Sequence, residues 1–197
     1  MITDVEDYFT QGCGRCDRFG TPDCATKLWA EGIATLRTLC LEAGLVETCK
    51  WGHPCYMAGG RNVVLIGEVG SGHAVKALNN LLGATILAAT AEIFAAGEKF
   101  GLDPHVMQKV INTSSGRSFS TDLTYPKAVL PKTWDFGFAM GLMNKDIGIA
   151  MSLIDATGVD TALNRQAAEV WAKAMAAFGP TSDMSEVVRL TYERAGL

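Results

Sequence analysis

The side chains best suited to chemistry in this 197-residue chain are two lysines with amide and carboxylate neighbours. Lys76 and Asn80 are four residues apart in a helical pattern, so they share one helix face, with Asn79 alongside. A lysine with an amide neighbour near the start of a helix can give a proton to a developing alkoxide, provided partial burial brings its pKa toward neutrality. It reads equally as an ordinary solvated helix lysine. Lys145-Asp146 is a charged pair inside an apolar run, between Phe138–Leu142 and Ile147–Leu153, and marks either a site or an exposed stripe. Cys13-x-x-Cys16 with Cys24, and with His53 or Cys55, offers the ligand types of a tetrahedral zinc site. Such sites usually carry two C-x-x-C pairs, or one with a spaced His pair. The six cysteines are therefore read as ordinary reduced thiols with no metal assigned, a metal site and a redox dithiol being the alternatives.

The stretch VVLIGEVGSGHAVKALNN (Val63–Asn80) joins a strand-like run to a glycine turn and a helix. Gly67 and Gly72 have the spacing of a P-loop, but His73 stands where Lys is needed and Ala74 where Ser or Thr is needed. The dinucleotide fingerprint G-x-G-x-x-G fails as well, because Val75 takes the place of its third glycine. Neither phosphate cradle is present in this stretch.

These residues need elements to hold them. The chain is long enough for one ordinary domain or two small ones. It is 48% hydrophobic and 19% charged, which argues against disorder. A net charge of −4 with no basic run argues against nucleic acid as partner. Asp4, Glu6 and Asp7 do not suit a signal peptide, and the apolar run Leu81–Ala91 is too short to span a bilayer before Glu92. The expectation is a cytoplasmic protein without membrane partners, with reduced thiols.

All six cysteines lie in the first 55 residues, the clearest composition shift in the chain. Residues 1–67 read as a small α/β segment. It starts with a short helix near 3–9. A helix over Leu28–Ala43 places Trp29, Ile33, Leu36, Leu39 and Cys40 on one side, with Gly44 as its cap. Strands over Val46–Trp51, Cys55–Met57 and Val63–Ile66 are separated by Gly52, Pro54, Gly59 and Gly60. Residues 68–197 read as an all-α domain. Its helices cover His73–Phe100, Asp103-Pro104 to about Thr113, Phe119–Val129, Phe138–Ala156 and Thr161–Phe178. A last helix opens on Asp183-x-x-Glu186, which has capping-box form. Leu87–Gly97, poor in charge, is expected to be buried on most sides. The fold class is α+β: a small N-terminal α/β segment followed by a helical domain with one long helix.

Three stretches of the second part, GEVGSGHAVKALNN, GLDPHVMQKVINTSSGRS and WDFGFAMGLMNKDIGIA, resemble the C-terminal helical domain of the β-hydroxyacid dehydrogenases. That family includes 3-hydroxyisobutyrate dehydrogenase and, more distantly, 6-phosphogluconate dehydrogenase. The motifs match in order and spacing over about residues 62–197. The resemblance implies a catalytic lysine at Lys76 and a substrate-orienting asparagine at Asn80. It further implies a substrate pocket formed by Phe138 and Asp146, and a cofactor-side lysine at Lys145. NAD or NADP is the implied cofactor, a small 3-hydroxy acid the implied substrate and a homodimer the implied assembly. The glycine turn then becomes the start of the long interdomain helix.

The family's Rossmann half, with its G-x-G-x-x-G and Ser-Gly-Gly segments, is not found in this sequence. Residues 1–67 instead resemble the start of a YdeI/YdhG-like domain, through DVEDYF, GCGRCDRFGTPDC and KWGHPCYMAGGRN, and the likeness stops near Ile66. The chain reads as a fusion of these two modules. Weak or no independent activity, and cofactor binding no tighter than about millimolar, are expected of it alone. The rivals are a non-catalytic helical dimerisation module and a metal-binding cysteine-rich segment.

Overall fold

A computed structural model describes residues 2–67 and 71–197. The glycine turn expected to open the long helix falls largely on residues 68–70, outside the described residues. The chain forms two compact units, Met1–Val75 and Lys76–Leu197.

The first unit begins with α1 (Val5–Gln11), capped by Asp4, whose carboxylate accepts from the Glu6 amide at 2.8 Å. The single helix expected over Leu28–Ala43 is broken at Trp29 into α2 (Ala25–Leu28) and α3 (Ala30–Glu42). Gly44, at φ +73°, turns the chain out of α3, and the Leu45 amide reaches back to the Cys40 carbonyl at 3.1 Å. The apolar side is largely bare: Trp29, Leu36 and Leu39 are exposed, and only Cys40 is fully buried.

Three strands follow, β1 (Val46–Lys50), β2 (His53–Ala58) and β3 (Arg61–Leu65), forming an antiparallel meander in the order β1-β2-β3. Trp51-Gly52 and Gly59-Gly60 join them as two-residue turns with φ positive at both positions, the backbone that matches strand twist. Pro54 is not a separator. It lies inside β2 opposite Cys49, and its carbonyl still accepts from Ile66. The core of the unit gathers Ile2, Tyr8, Cys13, Cys24, Cys40, Tyr56 and Ile66.

The second unit is built on α4 (Ser71–Phe100), from Lys76 onward. Ala77, Leu81, Ala84, Leu87, Ala91 and Phe94 recur at helical spacing and are buried. The charge-poor Leu87–Gly97 stretch is thus buried on one face only, and Ile93 is exposed on the other. α4 is also long and apolar enough to cross a membrane by length and composition, with a mean hydropathy of 1.4 over 18 residues, 44% of that window being buried within the protein. The Leu81–Ala91 run is one part of this 30-residue helix, whose buried side packs into the core of its own unit.

α5 (Pro104–Asn112) starts on Asp103, which accepts from the His105 and Val106 amides. Residues Ser120–Val129, expected as an α-helix, form a ten-residue π-helix with Pro126 inside. Pro126 has no N–H to give. In an i to i−5 pattern that missing donor leaves the Thr121 carbonyl open, and Gln108 Nε2 takes it at 2.7 Å.

α6 (Met140–Thr157) begins two residues later than expected, leaving Phe138 in an extended segment, and ends at Gly158 in the left-handed region. α7 (Ala162–Phe178) buries Trp171 completely, its indole N–H donating to the Ala84 carbonyl of α4 at 3.0 Å. A 3₁₀ turn (Met184–Glu186) leads into α8 (Val187–Ala195). Asp183 caps that turn, whereas Glu186 pairs with Arg189 at 2.6 Å.

Candidate functional site

α4 carries Lys76 and Asn80 one turn apart, and α6 carries Asp146 two turns in. Both α4 side chains donate to the same oxygen. Lys76 Nζ lies 2.6 Å and Asn80 Nδ2 2.7 Å from Asp146 Oδ2. Lys145 Nζ stands 3.4 Å from the other oxygen, Oδ1. The Asp146 side chain is only 5% exposed, against 62% for Lys76 and 60% for Lys145. Lys76 is therefore less buried than the sequence reading required, with its stem in water and its ammonium on a buried carboxylate. Burial pushes the Asp146 carboxyl up, but donation from Lys76, Asn80 and Lys145 outweighs it and holds it below its ordinary value.

Phe138 reaches the same neighbourhood by a different route. Asp183 Oδ2 accepts from the Gly137 and Phe138 amides at 2.7 and 3.2 Å, while Oδ1 accepts from the Ser185 amide and hydroxyl. The Met184 amide closes the link on the Phe138 carbonyl at 2.7 Å. Asp183 is thus the residue that fixes Phe138, a role sequence reasoning missed. The capping pattern flagged Asp183, but nothing local says that its second oxygen serves a segment 45 residues away.

A cavity of about 370 Å³ opens beside this cluster, walled by Asn80, Leu87, Phe119, Ser120, Phe138 and Trp171 among others. It is predominantly apolar, with a few polar groups, as small-molecule sites are. Of the five residues read from the sequence, Asn80 and Phe138 line the cavity. Lys76, Lys145 and Asp146 form the charged group that Asn80 connects to it. The π-helix supplies Ser120 and Thr124 to its lining.

Residues 70–191 match the family described as "NAD-binding of NADP-dependent 3-hydroxyisobutyrate dehydrogenase". The chain belongs to this family. Its cofactor class is accordingly NAD or NADP. The 2-(hydroxymethyl)glutarate dehydrogenase of Eubacterium barkeri is 33% identical over 138 residues, covering 70% of this chain and 46% of that protein. The structure of Mycobacterium tuberculosis 3-hydroxyisobutyrate dehydrogenase with L-serine superposes with a TM-score of 0.57 at 34% identity, covering 63% of this chain and 44% of that one. The structure of Psf3 in complex with NADP+ and 2-OPP gives 0.58 at 25% identity, covering 64% and 43%. The chain spans less than half the length of each of these relatives.

The side chains present suit an anionic nucleotide at one edge of the site. Lys76 and Lys145, whose side chains are largely exposed, set two positive charges against one buried carboxylate, so the group is net positive.

Proposed function

We propose that residues 70–191 form the substrate-side half of an NAD(P)-dependent 3-hydroxyacid dehydrogenase. The observation that carries this reading is the convergence of Lys76 and Asn80 on one oxygen of Asp146, beside a cavity that Asn80 and Phe138 share. Lys76 is the proton donor, its ammonium giving a proton to the substrate oxygen as a carbonyl becomes an alcohol. Asn80 orients that oxygen by hydrogen bonding. Asp146 holds both donors in place, and with Phe138 it shapes the substrate pocket. Lys145 would hold the cofactor, which when bound supplies the hydride. The substrate is a small 3-hydroxy acid or the corresponding aldehyde acid, and the protein works in the cytoplasm on small molecules rather than on nucleic acid or membrane.

For residues 1–67 we propose a partial YdeI/YdhG-like module fused to this domain. The exposed apolar side of α3, with Trp29, Leu36 and Leu39 uncovered, supports it. As assembly we propose a homodimer. α4 presents Leu78, Leu82 and Ile93 to solvent at helical spacing, a stripe of the kind that pairs helices. Without further partners the chain is expected to turn over weakly or not at all.

The test is an NMR titration of the isotope-labelled full chain with NADH, NADPH and 3-hydroxyisobutyrate. The expected result is weak, saturable shifts at the Asn80 side-chain amide and around Lys145, reduced by Lys145→Ala for the nucleotides. Ligand-induced shifts confined to other surfaces, or none at ligand concentrations on the order of tens of millimolar, reject the assignment.

A further inference from the structure

The first unit holds a second cluster that the dehydrogenase chemistry does not use. Cys13 and Cys24 are buried and Cys16 is half-buried. Their sulfurs all lie within 4.8 Å of one another, and among the described residues this is the only such grouping of three or more potential metal ligands. Cys24 Sγ stands 3.7 Å from both Cys13 Sγ and Cys16 Sγ. Those separations are far longer than a disulfide bond of about 2.0 Å. They match the roughly 3.8 Å between two sulfurs that share a tetrahedral ion at a bond length of about 2.3 Å. Cys55 and His53, the other ligands the sequence offered, are not in the group.

The backbone around the cluster is shaped for thiolates. The Cys16 amide donates to Cys13 Sγ at 3.3 Å, and the Cys13 amide to Cys24 Sγ at 3.5 Å, so two sulfurs receive N–H donors that offset negative charge. Gly12 has φ +117°, and a Cβ there would stand 2.9 Å from Cys24 Sγ. Gly14, at φ +69°, would drive a Cβ to 2.7 Å from Ile2. Glycine on each side of Cys13 thus permits a tight loop that lays its sulfur against the other two.

We propose that Cys13, Cys16 and Cys24 bind one zinc ion as a three-thiolate site, with the fourth position open on the half-exposed Cys16 side. Each sulfur exchanges its S–H proton for a bond to Zn²⁺. The three protons go to solvent, no electrons move, and water completes the tetrahedron. The thiols are unequally prepared for this. Burial raises the Cys24 thiol, but the Cys13 and Thr26 amides and the neighbouring thiols bring it down to about 7. Cys16, hydrogen-bonded to the Cys13 sulfur, is raised to about 11.

The experiment uses the full chain, reduced and stripped of metal, titrated with Zn²⁺ against a chromophoric chelator and separately with Co²⁺. Expected are one metal per chain, thiolate-to-cobalt charge-transfer bands with tetrahedral d–d bands, and protection of three of the six thiols from alkylation. Cys16→Ser and Cys24→Ser should lose stoichiometric binding, while Cys49→Ser, outside the cluster, keeps it. Cys16 is only half-buried, so its variant should retain the wild-type circular dichroism, which separates loss of ligand from loss of fold. No metal uptake by the folded reduced chain overturns the proposal. So does equal loss in Cys49→Ser, or a chain that forms a Cys13–Cys24 disulfide on mild oxidation and takes up no metal when reduced.

Discussion

Lys76 and Asp146, 70 residues apart in the chain, meet at 2.6 Å, with the carboxylate buried and the lysine stem in solvent. The asymmetry separates stability from chemistry. Lys76→Ala removes one largely exposed donor from a buried carboxylate that keeps Asn80 and Lys145, so the stability loss should stay within about 1 kcal/mol. Any turnover with a 3-hydroxy acid should vanish. Asp146→Ala leaves the Asn80 amide without its buried acceptor and should cost about 1–3 kcal/mol. Denaturant melts of the two variants, with assays of each, check the contrast. A Lys76→Ala variant that retains measurable turnover of a 3-hydroxy acid removes Lys76 from the mechanism.

Asp146 also sets an acid dependence. Its carboxyl lies below its ordinary value in the folded state, so the stabilisation is fully present above the unfolded value of about 3.9 and disappears as pH falls through the lower folded value. The stability difference between wild type and Asp146→Asn should hold constant from neutrality to about pH 5 and shrink below about pH 4. Urea midpoints across that range measure it. A difference that grows on acidification contradicts the depressed carboxyl.

Two glycines of α6 should respond in opposite directions to alanine. A Cβ on Gly141 would stand 2.9 Å from the Pro180 carbonyl oxygen, the atom that its own amide already contacts. Backbone cannot step aside cheaply, so Gly141→Ala should cost about 1–3 kcal/mol. Gly148 has open space at the same position, and Gly148→Ala should stabilise the helix by about 0.5–1 kcal/mol. Thermal melts of both variants give the comparison.

Trp51 occupies the left-handed region at φ +53° in the β1–β2 turn, with its ring largely exposed. Trp51→Asn creates the Asn-Gly pair that such turns favour and should stabilise the first unit by about 1 kcal/mol. Hydrogen exchange at β1 and β2 amides should slow accordingly. Faster exchange would show that the indole contributes more than the backbone strain costs.

The proposed homodimer rests on the apolar stripe of α4. Light scattering at tens of micromolar should give twice the 21.0 kDa chain mass. Leu82→Glu, which puts a charge into the stripe, should shift that mass to the monomer while leaving helix content unchanged. A monomeric wild type counts against the pairing.

Much of the helical unit was legible locally. Asp103-Pro104 and Gly158 mark ends because the groups they serve lie within a turn of them. The buried stripe of α4 follows from spacing alone. The π-helix was not legible, because Pro126 fits there only with Gln108 of another helix serving the Thr121 carbonyl. The bare side of α3 was not legible either, since an apolar periodicity says which residues share a face and not whether anything covers it.

Residue types and their spacing are legible along the chain: a lysine and an asparagine one helical turn apart, a Lys-Asp pair in an apolar run, and three cysteines close together. Packing alone brings the Lys76 and Asn80 donors of α4 onto one oxygen of Asp146 in α6, pins Phe138 through Asp183, and gathers the three sulfurs within 4.8 Å of one another. The reason is range. Caps, turns and periodicity are set by neighbours a few residues away. A site is set by which faces pack together, and that depends on every buried side chain of the unit at once.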